Sequence, residues 1–402
     1  MARLRHALTG LFILALAMTL ASRAHAEAKL LIEAATGKVL LSENATYPWY
    51  PASVTKLMTL YTTLRTVKDG AVTLATPLVI SRNAAAQQPT KMGFKVGTIV
   101  TIDNAMKMMM VKSANDIAVA IAEGVGGSIA GFADMMNANA RRLGMTQSNF
   151  VNPNGLPADN HVTSARDLAI LARALILEFP QYDSYWHIHS IRYGKRVIKN
   201  YNSLLDRYPG ADGMKTGFIC ASGYNLVASA TRNGRRLVAI VLGAYSGATR
   251  AQEAAQLLER GFNSGALNWL TPSLGTVDAL AAIDAAPPNL REEMCGGHRR
   301  KAPSEENDEE EESAANGDTS STHAFMLSSL KAASGKYVLG PPVDTEPPIV
   351  VFTGPASKPD TVEQVEAGKP AHKKKKTAAT HRKNKPVKPV KTDKAKVSSA
   401  QK

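Results

Sequence analysis

The first 270 residues of the chain combine two hydrophobic periods. Short apolar runs typical of β-strands lie at both ends of this region, at residues 29–32, 39–41, 223–230 and 237–244. Thr36-Gly37 offers a turn within the first pair, and Asn233-Gly234 is a strong two-residue hairpin signal within the second. The pattern predicts an antiparallel sheet that is built from both ends of the region.

Between these strands, apolar residues recur with the spacing of amphipathic helices. After a strand-like stretch at 98–102, the helical segments are residues 103–112, 115–123, 132–143 and 164–177, and a later one covers 249–262. Pro51 and Ala52 lead into an earlier helix that carries Leu57, Leu60 and Leu64. We therefore predict an α+β fold, an antiparallel sheet flanked by helices with a helical insertion lobe, and a cleft at their seam.

Ser53-Val-Thr-Lys56 opens this early helix and pairs a nucleophile with a base. A serine hydroxyl is a poor nucleophile at neutral pH and needs a neighbour that accepts its proton. The three-residue spacing places both side chains on one helix face, about 5–6 Å apart at Cβ. Lys56 can accept the proton only if it is neutral, so it must be desolvated or lie beside other cations.

Two further motifs follow in order. Ser113-Ala-Asn115 comes 60 residues after Ser53 (113 − 53), and Lys215-Thr-Gly217 comes a further 102 residues on (215 − 113). Ser-x-x-Lys alone is a weak signal, since residues 328–331 repeat it. Together and in this order, the three motifs are the signature of penicillin-binding proteins and related acyl-transfer enzymes.

With these motifs in place, the chain resembles the D-alanyl-D-alanine carboxypeptidases of serine peptidase family S11, the low-molecular-mass penicillin-binding proteins. The resemblance covers roughly residues 28–270 and includes the sequences at 51–56 and 215–230. It implies a β-lactamase/transpeptidase-like fold for a serine D,D-peptidase domain at residues 27–270. It also implies removal of the terminal D-alanine from peptidoglycan stem pentapeptides, with no cofactor, and acylation of the same serine by β-lactams.

Carried over by motif position, the resemblance gives each catalytic residue a role. Ser53 would form the acyl-enzyme, and Lys56 would accept its proton. Ser113 would relay a proton to the leaving amine. Asn115 would hold the substrate amide and orient Lys56. Ala114 stands where the family often has glycine, and because both residues are small we expect little effect.

The implied substrate-binding residues are Lys215, Thr216, Gly217, Phe218 and Arg250. A free carboxylate on the substrate calls for fixed cations and hydroxyl donors, which Lys215, Thr216 and Arg250 would supply. The negative oxygen of a tetrahedral intermediate needs preorganised donors, and the backbone N–H groups of Ser53 and Phe218 would form this oxyanion hole.

Three other functions share parts of the pattern. A class A serine β-lactamase uses a glutamate through a water molecule, and the matching region, residues 148–154, contains no glutamate. A D,D-endopeptidase that acts on cross-links would carry the same residues. A non-catalytic wall-binding protein is disfavoured because every polar member of the three motifs is present.

Residues 1–26 have the pattern of a secretory signal peptide. Arg3 and Arg5 precede an apolar run at 8–20, and Ala24-His-Ala26 is a small-x-small cleavage site. The alternative is an uncleaved N-terminal anchor. We expect an exported protein of the periplasm or cell envelope, soluble or peripheral on the membrane, since no later stretch is apolar enough to span a bilayer.

The formal net charge of +14 lies partly in blocks beyond residue 300. Seven of the eight residues at 305–312 are acidic, whereas residues 371–402 hold 12 Lys/Arg and a single acid, Asp393. Such blocks repel themselves, so after an extension at 271–300 we expect a mostly disordered tail at 301–402. Its lysine-rich end would either contact an anionic membrane or wall polymer or remain solvated; we expect no nucleic-acid partner.

The second β domain and the anchoring helix of many family members are not evident.

The cysteines, two neighbouring histidines and a methionine cluster each allow a further prediction. Cys220 and Cys295 are the two cysteines of the chain, and they either pair or remain as thiols. His187 and His189 would share one face of a strand, but no third ligand lies nearby, so we predict no metal site. The methionines at 106–110 recur at helical spacing, which predicts core packing.

Overall fold

The computed structural model describes residues 27–264, 273–297, 304–305, 337–343 and 346–354. In chain order its strands are β1 (Ala28–Glu33), β2 (Val39–Glu43), β3 (Pro77–Val79), β4 (Ile99–Thr101), β5 (Ser190–Tyr193), β6 (Arg196–Lys199), β7 (Ala211–Ile219), β8 (Gly223–Arg232), β9 (Arg235–Ala244) and β10 (Ile349–Val351). Its helices are α1 (Lys56–Lys68), α2 (Arg82–Ala85), α3 (Ile102–Lys112), α4 (Asn115–Gly126), α5 (Ile129–Leu143), α6 (Ala165–Glu178), α7 (Leu204–Arg207), α8 (Gly247–Asn263) and α9 (Arg291–Cys295). The predicted signal peptide at 1–26 lies outside the described residues.

The main sheet has five antiparallel strands in the order β2-β1-β9-β8-β7. Both predicted hairpins form, β1 with β2 and β8 with β9. The second one turns at Asn233 and Gly234, whose φ angles of 50° and 74° are the positive values that a tight two-residue turn requires. Strand β7 lies at an edge of the sheet, where it is open to the cleft.

Each face of the sheet carries its own hydrophobic core, because successive strand residues point to opposite faces. On one face, Ala228 and Ala239 pack with Ala254 and Leu258 of α8. The other face supplies apolar side chains of β1, β8 and β9 to a second core shared with α1, α3, α4 and α6. The antiparallel sheet, the flanking helices and the helical insertion between β2 and β7 confirm the predicted fold class.

The insertion lobe is built around buried helices. The methionines of α3 are buried, as predicted, at positions 106, 108, 109 and 110. In the described part of the chain no single helix is long and apolar enough to cross a bilayer; α4 and α5 meet that criterion only as a pair bent by 83°.

Two segments of residues 301–402, the region expected to be mostly disordered, lie on the domain. Strand β10 pairs in parallel with β5 of the β5–β6 hairpin. Residues 337–343 pack beside α7 and α8, where Arg207 Nε donates to the carbonyl of Gly340 at 2.7 Å and the Tyr337 ring meets that of Tyr208 at 5.4 Å. The apolar run at 349–352 is only four residues long and directly follows two prolines, which is too weak a pattern to signal a strand. The lysine-rich end of the tail lies outside the described residues.

A disulfide bond joins Cys220 to Cys295, with 5.6 Å between their Cα atoms. Cys220 directly follows β7, and Cys295 is the last residue of α9. The bond therefore fixes the extension after α8 to the end of the strand that carries the Lys215 motif.

Candidate active site

Ser53 lies in a 3-10 turn, Ala52–Thr55, that runs directly into α1. Ala52 holds this turn with a φ of 50°, a left-handed conformation that is uncommon for alanine. Gly155 approaches the turn so closely that a Cβ there would lie 1.8 Å from the Ala52 carbonyl oxygen. The turn therefore packs tightly against the loop that follows Asn152.

Lys56 is completely buried, and its Nζ meets three oxygen atoms. These are Ser53 Oγ at 2.9 Å, Asn115 Oδ1 at 2.8 Å and the Asn154 carbonyl at 2.7 Å. Burial lowers the pKa of Lys56 well below its usual 10.5, and the positive charge of Lys215 lowers it further, against the opposing effect of nearby carboxylates. A neutral Lys56 has a lone pair to which the Ser53 hydroxyl can donate.

The middle motif lies at the junction of α3 and α4. Ser113 ends α3 with a φ of 58°, and α4 begins at Asn115. The Asn115 side chain is held between Lys56 and the carbonyl of Gln88, to which its Nδ2 donates at 3.0 Å. Among the described residues, the buried Ser113 Oγ has no hydrogen-bond partner, so this hydroxyl is available to a ligand.

The third motif lies on the edge strand β7, against the turn Ala52–Thr55 that carries Ser53, which we call the nucleophile turn. A Cβ at Gly217 would lie 2.7 Å from the Ser53 nitrogen and 2.9 Å from that of Val54, so only glycine fits this approach. Phe218 stacks on Tyr224 with ring centroids 4.3 Å apart. The Ser53 nitrogen thus lies against β7 at Gly217, next to Phe218, and the oxyanion hole at Ser53 and Phe218 stays a prediction.

Lys215 and Thr216 are almost fully buried beside this space. Desolvation lowers the pKa of Lys215 to about 8, and the Arg250 charge lowers it as well, while the carboxylate of Glu305 acts in the opposite direction. Within the part of the chain that the structure describes, the buried Thr216 Oγ1 has no hydrogen-bond partner. It offers a second unoccupied hydroxyl, next to a cation.

Arg250 of α8 places a buried guanidinium behind β8. Its Nη1 donates to the Asn225 carbonyl at 3.4 Å and pairs with Glu305 Oε1 at 2.8 Å. Its Cζ also lies 5.6 Å from the Tyr224 ring centroid. Arg250 and Lys215 form one cationic end of the cleft, because the two groups lie close enough for the Arg250 charge to lower the pKa of Lys215.

Comparison with known proteins agrees with this geometry. The model of the Peptidase S11 family, described as D-alanyl-D-alanine carboxypeptidase, matches residues 16–246, more than half of the chain. The chain belongs to the S11 family. D-alanyl-D-alanine carboxypeptidase DacC of Escherichia coli is 36% identical over 244 residues, which cover 59% of this chain and 61% of that protein. The matched region of the chain spans about six tenths of the full length of DacC and of two other curated relatives.

Solved structures of similar proteins share the fold. D-alanyl-D-alanine carboxypeptidase DacD from Francisella tularensis superposes with a TM-score of 0.58 at 31% identity, covering 59% of this chain and 70% of that one. Penicillin-binding protein D2 from Listeria monocytogenes, in its cefotaxime-bound form, gives 0.54 at 28% identity and covers 59% and 96%. The predicted β-lactamase/transpeptidase-like fold is thereby confirmed.

Three residues of this S11 site were missed by the sequence analysis. Asn154 contributes a main-chain carbonyl, which no residue type can signal, although the turn at 152–155 was visible. His161 supports the nucleophile turn through a 2.9 Å hydrogen bond to Thr55 Oγ1. Glu305 was placed in the disordered tail and instead reaches Arg250. A charged run carries no signal for such a long-range contact.

The two histidines considered for metal binding have separate partners. His187 lies 3.2 Å from Asp183, and His189 lies 2.7 Å from Asp206. In the described residues, no group of three or more His, Cys, Asp or Glu side chains is arranged to hold a metal ion.

Proposed function

We propose that this protein is a serine-type D-Ala-D-Ala carboxypeptidase, which removes the terminal D-alanine of peptidoglycan pentapeptides through a Ser53 acyl-enzyme. One observation carries the proposal: Lys56 Nζ lies 2.9 Å from Ser53 Oγ at a fully buried position that disfavours its charged form. A neutral amine at hydrogen-bond distance from a hydroxyl is the arrangement of a general base and its nucleophile.

Acylation follows from these contacts. Ser53 Oγ attacks the carbonyl carbon between the two D-alanines, and its proton passes to Lys56. The carbonyl oxygen becomes negative and faces the backbone donors of Ser53 and Phe218. When the C–N bond breaks, the Ser113 hydroxyl, which has no partner among the described residues, passes the proton from Lys56 to the leaving amine, so Lys56 is neutral again. D-alanine leaves. Water then attacks the ester, Lys56 accepts the water proton, and that proton returns to Ser53 Oγ as the ester breaks.

The cationic end of the cleft would bind the C-terminal carboxylate of the substrate. A terminal D-alanine carries a free carboxylate, and Lys215, the Thr216 hydroxyl and Arg250 converge on this end of the site. Charge-assisted hydrogen bonds to a carboxylate are stronger than neutral ones. Substrates whose last carboxylate is amidated should therefore be poor.

The same geometry explains β-lactam binding. The relative from Listeria monocytogenes is known in a cefotaxime-bound form, and we propose that β-lactams acylate Ser53 here as well. A β-lactamase function is disfavoured because the loop beside Lys56 presents the carbonyl and amide of Asn154 rather than a carboxylate that could activate water.

Mass spectrometry of the purified protein after penicillin treatment tests the proposal. We expect one slowly lost adduct on Ser53, none in Ser53→Ala, and release of D-alanine from a pentapeptide. Penicillin turnover of many molecules per second would indicate a β-lactamase. Faster cleavage of cross-linked dimers than of pentapeptide would indicate an endopeptidase, and a protein without any adduct would be a binding module.

We also propose that residues 1–26 direct export to the periplasm or cell envelope, where the lysine-rich end contacts anionic lipid headgroups. Each Lys or Arg near such a surface contributes about 1 kcal/mol, and residues 371–402 hold 12 of them. Deleting 371–402 should abolish salt-sensitive retention on phosphatidylglycerol vesicles. Unchanged retention would show that the tail does not bind the membrane.

A further inference from the structure

Glu305 places a carboxylate of the chain itself against the cationic end of the cleft. Its Oε1 lies 2.8 Å from Arg250 Nη1, and the two side chains are only 7% and 6% exposed. Two charges are removed from water together only where their geometry compensates for the lost hydration. This is therefore a defined contact and not a loose surface ion pair.

The electrostatic effect of Glu305 extends beyond Arg250. Its negative charge raises the pKa of both Lys215 and Lys56, in opposition to their desolvation. The carboxylate contacts Arg250 and lies near enough to Lys215 and Lys56 to act on both amines. A terminal substrate carboxylate, in the proposed function, would contact the same Lys215 and Arg250.

Covalent structure limits how far Glu305 can move from this position. The disulfide bond fixes Cys295 beside the end of β7, and Glu305 follows only ten residues later (305 − 295). Ten residues reach at most about 35 Å, so the local concentration of the carboxylate near β7 is high. Glu305 is also the first residue of the acidic run at 305–312.

We propose that Glu305 is an intramolecular competitor of the substrate. Its carboxylate occupies the place that the proposed function, on which this inference rests, gives to the terminal carboxylate of the substrate. Binding of a pentapeptide or of a β-lactam requires Glu305 to leave Arg250, so the apparent affinity falls by the fraction of molecules in the open state. The Thr216 hydroxyl, which has no partner among the described residues, gives the incoming carboxylate an additional donor.

Charge-neutral substitution of Glu305 tests this competition in the full-length protein. We expect Glu305→Gln to raise the second-order rate constant of acylation by benzylpenicillin about tenfold, which corresponds to 1.4 kcal/mol. For D-Ala-D-Ala peptides the change should lie in KM, with kcat nearly unchanged. Glu292→Gln removes the same charge from an exposed position of α9 and should behave as the wild type.

Two further variants localise the effect. Glu305→Asp keeps the charge but shortens the side chain by one methylene, so it should raise acylation less than Glu305→Gln. The Arg250→Gln variant itself should bind substrate poorly. Adding Glu305→Gln to it should not raise the acylation rate further, because the ion pair is already broken. Thermal melting of each variant verifies that it is folded.

The outcomes separate the inference from the proposed function. If the wild type is acylated and releases D-alanine while Glu305→Gln matches it in KM and acylation rate, Glu305 is not a competitor and the carboxypeptidase proposal stands. A gain that equals that of Glu292→Gln would reflect net charge alone and would overturn the inference. If neither protein is acylated at Ser53, the proposed function itself fails.

Discussion

The proposed mechanism requires two buried lysines of one site to be in opposite charge states. Lys56 has to be neutral to accept a proton, whereas Lys215 has to be charged to attract a carboxylate. Both are desolvated, but the pKa of Lys56 is lowered well below 10.5 and that of Lys215 only to about 8. The Lys215 charge is itself one cause of the Lys56 shift. The pair can therefore divide the two tasks near neutral pH.

This division predicts a bell-shaped pH profile of kcat/KM for D-alanine release. Activity should rise with pH as Lys56 loses its proton, and fall again near pH 8 as Lys215 loses its charge and its hold on the carboxylate. Lys215→Arg keeps its charge at all accessible pH values, so its alkaline limb should move above pH 10. Initial rates from pH 5 to 10 measure both profiles, and an unmoved alkaline limb in Lys215→Arg would exclude Lys215 as its source.

His161 predicts an acid sensitivity of folding. Its Nδ1 accepts from the Val151 N–H at 2.9 Å and its Nε2 bonds to Thr55 Oγ1, so the buried ring is held neutral. Burial lowers its pKa from 6.5 to about 4. Because the unfolded state binds the proton more readily, stability is complete above pH 6.5 and is lost as the pH falls toward 4.

The expected loss is about 3 kcal/mol in the free energy of unfolding across that range. His161→Gln should be less stable at pH 7, since Val151 loses its acceptor, but it should lack this share of the acid dependence. Urea unfolding at several pH values between 7 and 4 compares the two proteins. If the free energy of unfolding changes with pH to the same extent in both proteins, the pKa of His161 is not lowered by burial.

The ordered motifs predicted that Ser53, Lys56 and Asn115 come together, and the structure places them in hydrogen-bond contact; their catalytic roles stay predictions. The sequence could not predict that Asn154 contributes its carbonyl, since every residue has one. Nor could it predict the Glu305–Arg250 contact, which depends on where the disulfide bond leaves the chain.

Among the elements, the contact between β7 and the nucleophile turn decides the geometry of the site. Strand β7 is an edge strand, so its outer backbone groups face the cleft. Gly217 lets it approach Ser53 and Val54 at distances that any Cβ would obstruct. The proposed oxyanion donors consequently depend on the close approach of β7 to the main chain of Ser53 and Val54.

Gly217→Ala should therefore impair chemistry more than folding. The new methyl group would push β7 from the turn by a fraction of an ångström or more, and a misplacement of about 1 Å can cost about 100-fold in rate. Gly297→Ala is the matched control, because no atom lies within 4 Å of its added Cβ. Acylation rates and thermal melts of both variants provide the test. A Gly217→Ala protein with the wild-type rate would show that this contact does not position the donors.

Elements with a clear periodic pattern or turn signal were predictable, whereas several short elements were not, although the strand-like stretch at 98–102 does contain the three-residue β4. The hairpins at β1–β2 and β8–β9 and the helices α3 to α6 follow from runs of eight or more patterned residues or from strong turn signals. The four-residue strands β5 and β6 and the three-residue β10 have no comparable signal. Their pairing is decided by tertiary contacts, which local sequence does not encode.

In the whole molecule, the segments after α8 return to the catalytic domain at several separate places. The disulfide bond holds α9 to the end of β7, residues 337–343 pack beside α7 and α8, and β10 joins β5. Phe352 N–H also donates to Asn104 Oδ1 of α3 at 3.1 Å. These contacts connect the sheet side of the domain with the helical lobe.

Two truncations separate the contribution of these contacts from that of the charged tail. Removing residues 337–402 deletes the buried Val351 and the Tyr337–Tyr208 ring contact. Burial of one aliphatic side chain contributes about 1.5–3 kcal/mol, and an aromatic pair adds about 1 kcal/mol. We therefore expect the free energy of unfolding to fall by about 3 kcal/mol.

Removing only residues 355–402, whose lysine-rich end predicts little burial, should leave the free energy of unfolding unchanged. Penicillin acylation of Ser53 should persist in both truncated proteins. Equal losses in urea unfolding would mean that residues 355–402, rather than the segments at 337–354, stabilise the domain.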